Sequence, residues 1–140
     1  MGVTITATNA KYCFDMGSGG FFNLRKNIAL ALDEDFGRNY EQIAGCFTKE
    51  QYAENDRTAE KIINEKHLED NYENVLDFLY MSDVEGEVSY QTCKQIYDLI
   101  KDIDYGKLCF RYAAHAHNDY EEFKEFLKDC YSHHKKMQWY

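Results

Sequence analysis

A glycine-rich turn that leads into a strongly apolar helix is the feature of this sequence that most constrains its fold. The turn lies at residues 17–20 and follows a short stretch in which apolar and polar residues alternate. Beyond it, apolar residues recur at helical spacing, namely Phe21, Leu24, Ile28 and Leu32. Such spacing places the apolar side chains on one face of a helix. We therefore predict that this helix is the central packing element of the protein.

The same turn also raises a hypothesis about ligand binding. Backbone amides at a glycine turn that opens a helix can hold an anion, and basic side chains nearby would add to the attraction. The spacing matches neither G-x-x-x-x-G-K-[ST] nor G-x-G-x-x-G, so the competing interpretation is a tight structural turn with a glycine at positive φ. The residues of this candidate phosphate site are Gly17, Ser18, Gly19, Gly20, Arg25 and Lys26.

Length and composition indicate one globular domain that spans all 140 residues. A hydrophobic content of 44% and an aromatic content of 16% argue against disorder, and no apolar run is long enough to cross a membrane. The cysteines are widely spread without a C-x-x-C pair, and no secretory leader is evident. We therefore expect reduced thiols in a cytoplasmic protein. The five are Cys13, Cys46, Cys93, Cys109 and Cys130.

Both ends of the sequence are predicted to form strands. Val3, Ile5 and Ala7 alternate with threonines, which is the period of a half-buried strand. Residues 11–16 are predicted to pair with this strand as a hairpin, and residues 137–140 to return beside it. We therefore predict an α+β fold: a mainly helical single domain with a small antiparallel sheet formed by the N-terminal hairpin and the C-terminal strand.

Polar interruptions divide the next part of the chain into shorter helices. Residues 33–37 are predicted to loosen the central helix, since Gly37 in a helix interior would cost roughly 1 kcal/mol relative to alanine. A second short helix is predicted to resume at Tyr40. Residues 48–57 are polar and are predicted to form a loop, after which Thr58 would cap another helix.

The second half of the chain is predicted to follow the same plan. Residues 68–79 are predicted to form a helix and residues 81–88 a loop, after which Ser89 caps the next helix. Residues 108–116 are compatible with a helix or a strand, and the last helix is predicted to start at residues 118–119. The whole chain would then contain five or six helices around the central one.

A turn within residues 78–87 carries a resemblance to a known family. It has the form Asp-x-x-Gly-Glu and precedes a helix that contains Cys93. With the glycine-turn helix upstream and a C-terminal helix, residues 123–130, leading to an aromatic end at residues 137–139, the chain resembles a family of small uncharacterised bacterial and phage-borne proteins. The chain departs from the family pattern before and inside the turn, so the resemblance gives that turn no thiol-based role. It implies no established activity and points toward mobile genetic elements.

Catalytic and metal sites have weaker patterns. His115 and His117 would share one face of a strand near Asp119, and imidazole is a common zinc ligand, but no recognisable spacing supplies further ligands. The pair at residues 133–134 is explained by the helix C-terminus, where cations are favourable. We find no nucleophile elbow, triad or paired carboxylates. The sequence therefore favours a non-enzymatic protein with no catalytic residue, metal or cofactor.

The strongest functional pattern is the acidity of residues 69–104. Ten acidic residues oppose two lysines there, so the segment carries −8 of the chain's net charge of −9. At ~1.5 Å rise per residue, Glu69, Glu73 and Asp77 would recur about every 6 Å along one helix, close to the spacing of phosphates on a nucleic-acid strand. The competing interpretation is an ordinary solvated face. The candidate partner-binding residues are Glu69, Glu73, Asp77, Asp83, Glu85, Glu87, Asp98 and Asp102.

These observations lead to two function hypotheses of different classes. The net charge disfavours direct binding to nucleic acid or to an anionic membrane. We expect a non-enzymatic binding protein, an inhibitor of anti-CRISPR or anti-defence type from a phage or mobile element. Its acidic face would mimic nucleic acid and bind a basic groove on a host nucleic-acid-handling protein. The alternative is a small phosphate- or nucleotide-binding domain that uses residues 17–20 with Arg25 and Lys26.

Overall fold

The fold is taken from a computed structural model that describes residues 2–106 and 119–140. In this part of the chain there are six α-helices, four strands and one short 3-10 helix, Gln42–Gly45, between the second and third α-helices. The strands are β1 (Gly2–Thr6), β2 (Phe14–Gly17), β3 (Gly86–Val88) and β4 (Met137–Trp139). The helices are α1 (Ser18–Leu32), α2 (Glu34–Glu41), α3 (Lys49–Lys66), α4 (Glu69–Tyr80), α5 (Tyr90–Ile100) and α6 (Tyr120–Ser132).

One antiparallel sheet joins the N-terminal and C-terminal segments, with strand order β2-β1-β4-β3. β1 pairs with β2 from Gly2 opposite Gly17 to Ile5 opposite Phe14, and β4 places Trp139 opposite Ile5. The α+β class, the N-terminal hairpin and the C-terminal strand are therefore confirmed.

The fourth strand, β3, lies in a segment that the sequence predicted as a loop. Glu87 pairs with Gln138, and Val88 pairs with Met137. Three residues are too few for an alternating pattern to stand out from a turn, and the partner strand comes from a distant part of the sequence. The pairing places the start of α5 beside the C-terminal segment.

α1 is the central helix of the core, as predicted. Its side chains Phe21, Leu24 and Ile28 are fully buried, and the helix contacts α2, α4, α5 and two strands of the sheet. The ring of Phe21 lies 6.3 Å from that of Phe78 and 5.7 Å from that of Trp139, centroid to centroid. These are favourable separations for aromatic pairs. The three rings join α1, α4 and β4.

The central helix is interrupted within residues 33–37, as predicted, but Gly37 is not the reason. α1 ends at Leu32, and α2 follows at once because the Asp33 carboxylate accepts a hydrogen bond from the Phe36 amide at 3.0 Å. Gly37 lies buried inside α2, where a Cβ would come 2.5 Å from the Leu30 backbone. The missing side chain lets α2 pack directly against α1. The second helix therefore begins earlier than the apolar spacing indicated.

Residues 48–57, predicted as a loop, are mostly helical. Thr48 caps α3: its hydroxyl accepts from the Gln51 amide at 3.1 Å, and the Gln51 side chain accepts from the Thr48 amide at 3.0 Å. This reciprocal pair is a capping box. Thr58, predicted as the cap, lies inside the helix and donates to the Glu54 carbonyl at 3.1 Å. The prediction for both features is wrong.

The first half of α3 was not predicted because this helix packs against the rest of the protein mainly through polar side chains. Its only buried residues are Asn55 and Ala59. Asn55 donates to the Asn39 carbonyl at 2.9 Å, and Asn39 donates to the Asn55 carbonyl at 3.2 Å. Two buried amides that satisfy each other attach α3 to α2 without a wide apolar stripe. A search for apolar periodicity finds little in such a helix.

The remaining helices agree with the sequence. Ser89 caps α5 by accepting from the Thr92 amide at 3.4 Å, and Asp119 caps α6 by accepting from the Glu122 amide at 2.8 Å. Residues 108–116, for which helix and strand were both left open, lie outside the described residues. None of the described helices is both long and apolar enough to cross a membrane.

A buried tyrosine that joins α6 to α1 gives the fold a pH dependence. Tyr120 is 1% exposed, and its hydroxyl accepts a hydrogen bond from Asn27 at 2.9 Å. Burial raises the pKa of Tyr120 from 10.0 to about 12, because the phenolate would lose its hydration. The folded state therefore prefers the neutral side chain, and its contribution to stability is complete below pH 10.0 and lost as the pH rises towards about 12.

We expect the urea midpoint of unfolding to decline across this alkaline range. Tyr120→Phe has no proton to lose and should decline less steeply, although its starting midpoint is lower because the Asn27 hydrogen bond is gone. Equal slopes for the two proteins would contradict the assignment.

Candidate functional site

The eight acidic residues predicted to bind a partner are all on the surface. Three of them lie on α4, two in the loop between α4 and β3, one on β3, one on α5 and one in the turn after α5. In chain order they are Glu69, Glu73, Asp77, Asp83, Glu85, Glu87, Asp98 and Asp102, and each is exposed.

The predicted row of three carboxylates along α4 does not include Glu69. Tyr72 has φ −130° and ψ 22°, which is not helical, so a kink separates Glu69 from the rest of the helix. Glu73 and Asp77 follow the kink one turn apart. Because Val75 between them is fully buried, they lie on the opposite, solvent side of α4. The regular spacing of about 6 Å therefore holds for this pair and not for all three residues.

Asp98 and Asp102, four residues apart in the sequence, were also expected to share one helix face, and they do not. α5 ends before Asp102, which lies in the following turn. Asp98 is neutralised on its own helix, since its carboxylate lies 2.9 Å from the Lys94 ammonium and 3.9 Å from that of Lys101. This part of the acidic segment is therefore less available to a cationic partner than its sequence suggests.

Most of the remaining acidic residues of this segment have no described ion pair, whereas several acidic residues elsewhere do. Asp33 and Asp35 share Lys66, with N–O distances of 3.0 and 2.7 Å. Within residues 69–104, the described residues supply ion pairs only to Asp98 and to Glu87. The sequence from residue 69 to residue 93 contains no Lys, Arg or His. We name as the α4 acidic surface the six exposed carboxylates without a described ion pair on α4 and its following loop: Glu69, Asp70, Glu73, Asp77, Asp83 and Glu85.

A buried arginine holds the loop part of this surface. Arg25 on α1 is 4% exposed, and its guanidinium donates to the Met81 carbonyl at 2.8 Å and to the Ser82 carbonyl at 3.1 Å. Burial lowers the pKa of Arg25, but an arginine in a protein keeps its charge. The cation therefore fixes the backbone from which Asp83 and Glu85 project.

Three aromatic rings enclose this guanidinium. Its central carbon lies 4.2 Å from the ring centroid of Phe21, 5.1 Å from that of Phe78 and 5.6 Å from that of Trp139. Rings at these distances attract a cation through their negative faces. Trp139 also donates its indole N–H to the Ser82 carbonyl at 3.0 Å. Core residues from α1 and β4 thus hold the same loop carbonyl.

The glycine of the Asp-x-x-Gly-Glu turn has a packing role. A Cβ at Gly86 would lie 2.2 Å from the indole ring of Trp139, so the backbone rests directly on that ring. Two residues before Gly86, the Val84 amide donates to the Ser82 hydroxyl at 3.1 Å, while the Val84 side chain is 58% exposed. The loop therefore has an ordered backbone and solvent-facing side chains.

The glycine-rich turn before α1 does not assemble the predicted anion site. Gly17 ends β2 and precedes α1, and residues 18–20 form the first helical turn. Arg25, which was expected to help bind an anion there, donates instead to the loop carbonyls after α4. The structural interpretation is also wrong in one detail, since no glycine of this turn has a positive φ. Lys26 remains partly exposed.

The histidines and cysteines of the described residues form no metal centre. His115, His117 and Cys109 lie outside the described residues. The imidazole of His133 lies 2.9 Å from the Asp129 carboxylate, and that of His134 stacks on Tyr90. Among residues 2–106 and 119–140, no group of three or more His, Cys, Asp or Glu side chains is placed to hold a metal ion.

A groove of about 770 Å³ between α2 and α3 was not anticipated from the sequence. Most of the residues that line it are of polar types, such as Gln42 and Gln51, and Cys46 also lies in the lining. Asn39 and Asn55, also in the lining, already satisfy each other's hydrogen bonds. The groove brings together no cluster of cations and no nucleophile with a base, so it suggests no specific chemistry.

Comparison with known protein families, characterised proteins and solved structures finds no match to this chain. The α4 acidic surface and the scaffold that supports it are therefore the features of this molecule that bear on its function.

Proposed function

We propose that the protein is a non-enzymatic binding protein, an inhibitor from a phage or mobile element, that presents the α4 acidic surface to a basic groove on a host nucleic-acid-handling protein. A CRISPR nuclease or another defence enzyme is the kind of partner that this chemistry fits. One observation supports the proposal most: six exposed carboxylates on consecutive elements lack an ion pair among the described residues. They lie within 25 residues that contain no basic side chain.

The proposed mechanism is competition for cationic side chains. Carboxylates of the α4 acidic surface would take the place of phosphates and pair with Lys and Arg in the groove through charge-assisted hydrogen bonds. Glu73 and Asp77 supply two negative charges about 6 Å apart on a rigid helix. A groove occupied in this way cannot bind its nucleic acid.

Preorganisation of the surface supports the same proposal. Binding is weakened when loops and side chains must be ordered at the interface. Here the loop backbone at Met81 and Ser82 is already fixed by Arg25 and Trp139. Asp83 and Glu85 therefore project from a scaffold that needs little further ordering.

The small-ligand alternative receives no comparable support. Its main cation, Arg25, is buried and engaged with backbone carbonyls away from the glycine turn. Asp15, on the strand that leads into the turn, adds a negative charge and accepts a hydrogen bond from Thr4 at 2.6 Å. An anion at this turn would depend on backbone amides and the partly exposed Lys26.

Charge reversal on the α4 acidic surface tests the proposal. Glu73→Lys, Asp77→Lys and Glu85→Lys together are expected to weaken partner binding on the order of 10²- to 10³-fold, because close interfacial charge pairs couple by ~1.5 kcal/mol or more. Each position is exposed and should change stability by less than about 0.5 kcal/mol. The measurement is capture of host proteins on the immobilised protein at low and high salt, followed by affinity measurement on the captured partner.

A matched variant controls for net charge alone. Glu50→Lys, Asp56→Lys and Glu60→Lys make the same change at exposed positions of α3 and should leave binding within a fewfold of the wild type. Added duplex DNA should displace the captured partner, because both ligands would occupy one groove. Equal losses in the two triple variants, or a captured partner that DNA does not displace, would refute the proposal.

A further inference from the structure

Two cysteines lie together where the start of α5 meets the end of α6. Cys93 is in the first turn of α5 and Cys130 in the last turn of α6, and both are 0% exposed. Both are free thiols, and the ring of Tyr97, one turn after Cys93, lies 5.4 Å from that of Tyr131, the residue after Cys130, centroid to centroid. The two helices pack side by side along the core. The fold therefore places two buried thiols at the interface of α5 and α6.

Contacts on either side hold this pair in place. Val88, just before α5, pairs with Met137, just after α6, in the β3–β4 ladder. The ring of Tyr90, at the start of α5, stacks on that of His134 with centroids 4.1 Å apart and planes inclined by 17°. Because the flanking segments are joined twice, the two thiols remain neighbours throughout the native state.

The interaction between the two thiols makes them unequal. It lowers the pKa of the Cys130 thiol and, together with burial, raises the pKa of the Cys93 thiol. The thiolate is the nucleophilic form of cysteine. Cys130 is therefore suited to react first, with Cys93 as the adjacent second thiol.

We propose that Cys93 and Cys130 form a redox-active dithiol that a peroxide converts to a disulfide between α5 and α6. The Cys130 thiolate attacks one oxygen of hydrogen peroxide. The O–O bond breaks, hydroxide departs, and Cys130 becomes a sulfenic acid. The Cys93 sulfur then attacks the Cys130 sulfur. An S–S bond forms, the S–O bond breaks, and the departing hydroxide takes the Cys93 proton as water. In total, two thiols lose two electrons and two protons, and the peroxide is reduced to two molecules of water.

The disulfide would stabilise the fold and leave the α4 acidic surface intact. The disulfide closes a loop of roughly forty residues and restricts the unfolded chain, which stabilises the native state. Neither cysteine belongs to the α4 acidic surface, so this inference is independent of the proposed function. Since both thiols are buried, oxidation requires local opening of the helix ends and should be slower than oxidation of the exposed Cys13.

The test uses the native full-length protein and hydrogen peroxide. After treatment, the remaining thiols are blocked by alkylation, the protein is digested, and the peptides are identified by mass spectrometry. We expect a linked peptide that joins Cys93 to Cys130 and that dithiothreitol removes. The unfolding equilibrium constant of the oxidised protein should fall on the order of 10²- to 10³-fold, seen as a higher urea midpoint.

Two variants test the proposal further, and specific results would contradict it. Cys93→Ser should abolish both the linked peptide and the rise in midpoint, whereas Cys13→Ser should keep both. The proposal is overturned if Cys93 and Cys130 are recovered as free thiols after Cys13 has been fully oxidised. It is also overturned if the linked peptide forms only in urea, or if it forms without raising the midpoint. The wild-type peptide map decides the matter even if the Cys93 variant fails to fold.

Discussion

Arg25→Met is expected to lower the free energy of unfolding by about 3 kcal/mol and to release the loop after α4. The substitution removes the partner of the Met81 carbonyl, and a buried group left unsatisfied costs ~1–3 kcal/mol. It also removes the attraction between the cation and its three aromatic neighbours, worth up to ~2 kcal/mol when desolvated. Urea unfolding measures the first effect. Faster hydrogen exchange at the Val84 amide measures the second.

Two further variants separate the loop from the rest of the core. Tyr40→Phe removes a 2.7 Å hydrogen bond to the Leu79 carbonyl, which lies at the C-terminal end of α4 just before the loop. This variant should cost about 1 kcal/mol without releasing the loop. Arg25→Lys keeps the charge but lacks the planar fork that reaches two carbonyls, so it should fall between the wild type and Arg25→Met. Unchanged exchange at Val84 in Arg25→Met would show that Trp139 alone suffices to hold the loop.

Gly37→Ala is expected to destabilise the protein by about 2 kcal/mol, although alanine is the better helix former. The added methyl would come within 2.5 Å of the Leu30 backbone, so α1 and α2 must move apart. Overpacking of this kind costs ~1–3 kcal/mol and sometimes more, which exceeds the ~1 kcal/mol gain in helix propensity. The urea midpoint is the measurement.

Gly19→Ala is the matched control for this prediction. It makes the same substitution inside a helix, but a Cβ at Gly19 would meet nothing within 4 Å. The variant should therefore be as stable as the wild type or slightly more stable. If Gly37→Ala matched it, the close approach of α1 and α2 could not be the reason for a glycine at residue 37.

The parts of the fold that the sequence predicted correctly are those where burial follows a regular apolar period. The helix that contains Phe21 and Ile28 and the strand that contains Val3 and Ile5 both show this. α3 was missed because its main buried contact is a pair of amides, Asn55 with Asn39, which no apolar period reveals. β3 was missed because its partner strand lies about fifty residues further along the sequence. Non-local pairing leaves little local signal.

The sequence indicated which carboxylates of the candidate site are exposed, but it gave Arg25, which holds the loop beside them, a different role. The exposed carboxylates of α4 were located correctly, because acidic residues between apolar ones identify the solvent face of a helix. Arg25 was assigned to an anion site on the basis of its nearness to the glycine turn. A usable signal was present, since Arg25 lies four residues after Phe21 and three before Ile28 and so shares their buried face. A charge on such a face indicates a buried cation that needs carbonyl or aromatic partners.

The central strand pair has a consequence for the order of folding. β1 and β4 place Ile5 opposite Trp139, so nearly the whole chain must be brought together before this ladder can form. Closing so long a loop is entropically costly, and contacts between distant segments slow folding. Local pairs such as α1 with α2 have no such barrier. Trp139 is also one of the rings around Arg25, so the enclosure of the guanidinium is complete only when the sheet closes. Full desolvation of that one cation is then coupled to the docking of the last strand.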